Sequence, residues 1–106
     1  LVIGNGVTSI GYAAFNGCES LTSLVIGNGV TSIGNSAFNH CSSLTSIVIP
    51  NSVTSIGAWA FLWCNSLTSI TFQGTKAQWK GIELIDGWNS GFPAKVIHCT
   101  DGEVEI

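Results

Sequence analysis

A 23-residue period constrains this chain more than any other feature. Val7-Thr8-Ser9-Ile10-Gly11 returns as Val30-Thr31-Ser32-Ile33-Gly34 and again as Val53-Thr54-Ser55-Ile56-Gly57. Each copy runs on to Ala14-Phe15, Ala37-Phe38 or Ala60-Phe61, then to Cys18, Cys41 or Cys64, then to Leu21, Leu44 or Leu67, every series stepping by 23. A period of this size marks a solenoid. One repeat is a single coil that cannot cover its own apolar face and does so against the next coil.

Aligned on its apolar positions, the unit reads Leu-x-x-(Leu/Ile)-x-Ile, a turn, Val-x-x-Ile-Gly, Ala-Phe and Cys. Leu24 to Ile26, Ile47 to Ile49 and Ile70 to Phe72 alternate with period two, which predicts a strand. The turn that follows is Gly27-Asn28-Gly29 or Pro50-Asn51-Ser52. Asn-Gly is also a hairpin signal, but like units gain most by stacking in parallel, so we read this turn as the corner of a coil. Pro50 removes one backbone donor, which a corner tolerates. Val7 to Ile10 and its copies predict a second short extended piece, with Val and Ile inward and Thr and Ser toward solvent. Gly11, Gly34 and Gly57 end it. Tyr12–Phe15, Asn35–Phe38 and Ala58–Phe61 then predict about two turns of helix each, held by packing of the Phe because isolated helices this short are unstable. Paired strands lie about 4.8 Å apart, so stacking predicts columns of like side chains: Phe15, Phe38 and Phe61 in one, Cys18, Cys41 and Cys64 in another.

After Phe72 the period fails. Thr75-Lys76-Ala77-Gln78 is a capping box and predicts a helix to about Ile82, with Trp79 and Ile82 on one face. Gly87 to Pro93 predicts a loop, Val96 to Thr100 a strand, and Asp101-Gly102 ahead of Glu103–Ile106 a hairpin. Charge changes at the same place: Glu19 is the only Asp, Glu, Lys or Arg before Gln73. We therefore divide the chain into repeats over residues 1–74, in three copies, and a capping unit over residues 75–106 whose charges make a wet end face. The N-terminal end has no such face. Leu1 and Ile3 read as the tail of an earlier copy, so we expect an excised piece of a longer array. Leu1, Ile3, Val7, Ile10, Phe15 and Leu21 would be exposed at that end, which favours self-association there.

Composition removes several functions. Charged residues make up 8% of the chain, against about 25% in an ordinary domain, so solubility rests on Ser, Thr, Asn and Gly. A net charge of −3 with three Lys makes no phosphate-binding stripe, and nucleic acid is not an expected partner. No apolar run approaches the roughly 20 residues of a membrane span, so membrane insertion is not expected either. No signal peptide is visible.

Catalytic and metal chemistry find little support. Thiols stacked about 4.8 Å apart lie in a line, whereas tetrahedral zinc needs sulfurs converging at about 2.3 Å. Neighbouring rungs satisfy the Cα separation of a disulfide, but parallel side chains make its torsion awkward and one thiol is left over. Cys18, Cys41 and Cys64 therefore read as buried reduced thiols packing as small apolar residues, while Cys99 lies off that column. His40-Cys41 and His98-Cys99 are sequence neighbours, and neighbours on a strand point to opposite faces, so neither makes a nucleophile with its base. Gly4-Asn5-Gly6 is a turn with no Lys after it, not a phosphate cradle. Asp86, Asp101, Glu103 and Glu105 lack the spaced oxygen ligands of a calcium loop. We expect no cofactor, no metal and no enzyme activity.

The third copy departs from the other two. Trp59 stands where Ala13 and Ser36 stand, Leu62 where Asn16 and Asn39 stand, and Trp63 where Gly17 and His40 stand. With Trp79 and Trp88 these tryptophans fall near the last coil and cap, and they form the one candidate binding patch, since exposed Trp stacks on glycans or buries in a protein partner. The simpler reading packs Trp59, Leu62 and Trp63 beneath the cap.

The stretch Leu44-Thr45-Ser46-Ile47-Val48-Ile49-Pro50-Asn51-Ser52-Val53-Thr54-Ser55-Ile56-Gly57, with Ala60-Phe61 and Cys64 after it, resembles the BspA-type leucine-rich-repeat family, also called the Treponema pallidum-type repeat. The resemblance covers roughly residues 1–72. Gly74-Thr75-Lys76-Ala77-Gln78-Trp79 and His98-Cys99-Thr100-Asp101-Gly102 also resemble the terminal unit found behind such arrays. The resemblance implies a right-handed β-α leucine-rich-repeat solenoid in an extracellular or cell-surface protein, often linked to adhesion or host-protein binding, and it brings no catalytic residues. The first two corners read Gly-Asn-Gly where the family often has Pro-Asn-Ser. The expected function is a non-enzymatic binding or adhesion module that presents a solenoid face to a host or extracellular protein or glycan. The alternative is a passive spacer within a longer surface protein.

Overall fold

The computed structural model describes residues 1–106. The chain winds as stacked coils, each giving one strand to each of two sheets. The strands are β1 (Val2–Ile3), β2 (Ser9–Ile10), β3 (Ser23–Ile26), β4 (Ser32–Ile33), β5 (Ser46–Pro50), β6 (Ser55–Ile56), β7 (Ser69–Gln73), β8 (Glu83–Leu84), β9 (Val96–Cys99) and β10 (Gly102–Glu105); the single helix, α1, is Lys76–Lys80. One sheet has the order β1-β3-β5-β7-β9-β10 and the other β2-β4-β6-β8. The repeats pair in parallel, each residue beside its own counterpart: Val2 beside Val25, Leu24 beside Ile47, Ile47 beside Ile70, Ile10 beside Ile33, Ile33 beside Ile56. A slip of one residue would turn each inward Leu or Ile to water, so the period fixes the register.

Between the sheets the columns run continuously. Leu24, Ile26, Ile33, Leu44, Ile47, Ile49, Ile56, Leu67 and Ile70 are buried, as are Val30, Val53, Cys41 and Cys64. The Phe15, Phe38 and Phe61 rings stack face to face, with centroids 5.2 and 5.5 Å apart and planes within 3° of parallel. These distances lie within the favourable range for parallel stacked rings, and the coil spacing sets them. The outward Thr residues also face their neighbours. The hydroxyls of Thr31, Thr45 and Thr54 donate to the carbonyls of Thr8, Thr22 and Thr31, at 3.0–3.1 Å.

The expected helices in the repeats do not form. Tyr12–Gly17, Asn35–His40 and Ala58–Trp63 are runs of turns. Ala13, Ser36 and Trp59 have φ of 54°, 57° and 55°, and Gly17, His40 and Trp63 have φ of 78°, 64° and 59°, a left-handed backbone that no α-helix of L-residues contains. Each is the third residue of a turn closed three residues apart, as in Ala14 N–H to Gly11 C=O and Cys18 N–H to Phe15 C=O, with the φ sign of a type II turn. The alternate N–H groups bond to the next coil: Phe15 to Ala37 C=O and Phe38 to Ala60 C=O, each at 2.8 Å. The donors a helix would use internally thus join coils instead. A segment too short to repay helix nucleation satisfies its backbone in this way.

Residues 75–106 close the stack by extending both sheets. β8 pairs with β6 and β9 with β7, both in parallel, and β10 folds back on β9. α1 replaces the three-residue corner of the earlier coils. The Thr75 hydroxyl accepts from Gln78 N–H at 3.1 Å, Gln78 Oε1 accepts from Thr75 N–H at 2.9 Å, and an Asp101 carboxylate oxygen accepts from Lys76 N–H at 2.8 Å. Phe72, Trp79, Trp88 and Phe92 form a chain of tilted and edge-on rings across the closing coil. At the opposite end, the expected exposed cross-section is narrower. Leu1 and Val7 are exposed, but Ile3 and Ile10 are buried by β3 and β4 alone.

Phe38 is the ring stacked on both sides. Phe38→Ala is expected to cost about 3–5 kcal/mol, measured by urea unfolding. Phe15→Ala, at a partly buried ring stacked on one side, should cost less.

Candidate binding surface

The runs of turns make a ribbon that directs its central pair of side chains inward and its flanking ones outward. Ala37, Phe38, Ala60 and Phe61 point inward and are buried. The left-handed residues point outward, so the copies build two outer columns: Ala13, Ser36 and Trp59, and Gly17, His40 and Trp63. Both columns continue into the closing coil. Gly87 and Gly91 have φ of 89° and 77° and hold the same places there, as the turn bonds Trp88 N–H to Ile85 C=O and Ser90 N–H to Gly87 C=O show. A methyl on Gly87 would lie 2.8 Å from the Trp59 indole, and one on Gly91 within 3.0 Å of Trp63. The indoles therefore lie across bare backbone. The intercoil bonds of the ribbon stop at the third copy, and the two indoles cover the junction instead.

The four predicted tryptophans do not form one patch. Trp79 and Trp88 are 2% and 6% exposed and belong to the core of the cap. Trp59 and Trp63 do not lie beneath the cap, contrary to the simpler expectation. They rest on it edgewise and remain 52% and 51% exposed. The reason is the backbone: a left-handed residue in the ribbon projects its side chain away from the core. Leu62 between them is half-buried. It also breaks a column of amides, and the buried Asn39 Oδ1 has no hydrogen-bond partner because the next rung offers no donor.

Trp63 stacks on His40, with ring centroids 4.4 Å apart and planes 23° from parallel. Beside this pair is an open depression of about 380 Å³ lined by Glu19, His40, Ser42, Trp63 and Asn65. Glu19, Ser42 and Asn65 are themselves one column, 23 residues apart. Sequence reasoning missed His40, Glu19, Ser42 and Asn65. A position occupied by Gly, His and Trp has no common chemistry, but it does have a common geometry: an outward left-handed residue tolerates any side chain whose strain is compensated. Tyr12, also outside the expected set, is the most exposed aromatic, at 78%.

The remaining nucleophiles are placed apart. Cys41 Sγ and Cys64 Sγ donate to the carbonyls of Phe15 and Phe38 at 3.3 and 3.2 Å, inside the core. His40 sits outside on Trp63, so His40 and Cys41 diverge, through turn geometry rather than strand alternation. His98 pairs with Glu103 across the hairpin at 2.9 Å, while Cys99 turns toward the core. The Cys41 thiol and burial push the Cys64 thiol far above its ordinary range, and burial raises Cys18 and Cys99. Cys18, Cys64 and Cys99 stay protonated and are poor nucleophiles, while Cys41, held below its ordinary range by its bond to the Cys64 thiol, is buried away from any base.

The sequence of residues 1–81 matches, in six copies, the family described as the BspA type leucine rich repeat region. Nothing among the curated proteins matches the chain. Among solved structures, a leucine rich cell surface protein of Faecalibacterium prausnitzii A2-165 is similar, with 39% identity and a TM-score of 0.72 over 74% of this chain. The match spans about a fifth of that protein's length, 21%.

The buried Cys64 thiol makes a pH prediction. Its folded pKa lies above its unfolded one, so the stabilisation is complete below the unfolded value and is lost as pH rises past it. Unfolding free energy should fall as pH rises past the ordinary thiol range, because the unfolded chain releases this proton and the folded one holds it. Denaturant titrations at alkaline pH should show that limb in the wild type and a shallower one in Cys41→Ala/Cys64→Ala, which removes both members of the coupled pair.

Proposed function

The chain belongs to the BspA-type leucine-rich-repeat family, and from that membership we propose that it is a non-enzymatic binding module of a cell-surface or secreted protein. It presents the outer ribbon of its solenoid to a host or extracellular protein or glycan. The observation that carries this reading is the pair Trp59 and Trp63: two large indoles, half-exposed, on left-handed backbone. A bulky residue at positive φ is an outlier, held only where its surroundings compensate, and such outliers cluster at functional sites. Half-exposed Trp supplies large, rigid contact area for a partner. The similar protein of F. prausnitzii is a cell surface protein, which supports the same location here.

A spacer is the second reading. It draws on the regular part of the chain, where the outward Thr hydroxyls bond to the coil before them and offer few free groups to a ligand. Trp exposure separates the two readings and favours binding.

The test is an immobilised panel of extracellular-matrix proteins and mammalian glycans, probed with wild type and with Trp59→Gly/Trp63→Gly. Glycine already occupies both columns, at Gly17, Gly87 and Gly91, so the double variant keeps the backbone and loses only the indoles. Binding by wild type, weakened at least tenfold in a variant with unchanged circular dichroism, is the expected result. No binding by wild type, or equal binding by the variant, leaves the spacer reading in place.

A further inference from the structure

We propose that the depression beside His40 and Trp63 is a subsite for one neutral pyranose ring of a glycan; this rests on the reading of the chain as a binding module. The column Gly17, His40, Trp63 is a stack of rings with its first member absent. His40 and Trp63 lie 4.4 Å apart, the spacing of the coils. Column order places Gly17 on the side of His40 away from Trp63, and a Cβ at Gly17 would meet nothing within 4 Å. The face of the imidazole away from Trp63 is therefore uncovered by any side chain of its own column. A flat six-membered ring can stack on that open face, and the electron-rich face of an aromatic ring attracts the C–H groups of a pyranose.

The lining of the depression supplies the polar half of the recognition. Glu19, Ser42 and Asn65 stand beside the ring column, one from each coil, and offer a carboxylate, a hydroxyl and an amide. None of these side chains is bonded within the protein, so each is free for a sugar hydroxyl. This mixture of donors and acceptors is what hydroxyl groups need. Charge sets the class. The lining has no Lys or Arg, the repeats contain none before Lys76, and Glu19 repels a carboxylate or sulfate. Sialylated, uronic and sulfated sugars are therefore disfavoured. An apolar peptide side chain is disfavoured too, because Trp63 is the only large apolar group in the lining and offers no enclosed floor.

The test is a glycan array carrying neutral, sialylated and sulfated members. Titration of the best neutral oligosaccharide follows, read by indole fluorescence and by the His40 ring resonances. The expected result is selective binding of neutral glycans, with His40→Gly and Trp63→Gly each weakening it at least tenfold, Glu19→Gln weakening it less, and Tyr12→Ala leaving it unchanged. His40 resonances should move on saturation, a readout that does not depend on any variant folding. Preference for sialylated or sulfated members overturns the inference, as does neutral binding untouched by His40→Gly and without His40 shifts. Failure on every glycan, with Trp-dependent binding to a matrix protein, also overturns it but leaves the binding-module reading standing. Failure on glycans and proteins alike overturns both.

Discussion

Everything in this structure depends on coils lying one above another in register, joined by backbone hydrogen bonds between equivalent residues. The bonds are not confined to the strands. The turn ribbon sends alternate N–H groups to the coil ahead, and the Thr hydroxyls reach to the coil behind. Because every coil must offer the same acceptors at the same heights, the sequence repeats even where no side chain is buried. Inward positions then stack like on like, which places three Phe rings face to face and two thiols on successive carbonyls. The register that satisfies the backbone thus also sets these side-chain contacts.

The period made most of this legible. Alternation in Leu24 to Ile26 and its copies identified the first sheet, Val-x-x-Ile-Gly the second, and Thr75 with Gln78 the start of α1. The ribbon was misread because Ala-Phe, spaced from Ile before it and Cys after it, gives an inward pattern that a short helix and a run of turns share. What separates them is the sign of φ at Ala13, Ser36 and Trp59, and none of those residue types announces a left-handed backbone. β8 was missed for a different reason. Glu83 pairs with Ser55 at a separation of 28 and Ile97 with Ile70 at 27, so the insertion of α1 moves the closing coil out of the 23-residue frame in which it would be recognised.

The tryptophans show how a structural and a functional reading can hold at once. Left-handed backbone costs a residue with a Cβ about 1–2 kcal/mol, and Ala13, Ser36 and His40 already meet that cost without large side chains. The fold therefore does not require Trp at these places. What Trp adds is cover for the junction where the intercoil bonds of the ribbon end, lying over Gly87 and Gly91. That accounts for one side of each indole. It leaves half of each exposed in a chain that buries Phe38, Phe61, Phe72, Trp79 and Trp88, and hydration of so much apolar surface is a cost that covering a junction does not explain.

Regularity itself indicates where a ligand can be read. A face made of identical rungs is degenerate along its axis, so a partner sliding by one coil meets the same groups. Specific binding to such a stack needs a place where the rungs differ. In this chain the outer columns differ most in the ribbon: Gly, His and Trp in one, Glu, Ser and Asn in the next, Asn giving way to Leu in a third. The inward columns meanwhile stay Phe, Cys and Leu throughout. Polar-to-aromatic variation at outward positions, with only apolar exchanges inside and a backbone held constant by its hydrogen bonds, is the arrangement by which a repeat scaffold acquires a site without altering its fold.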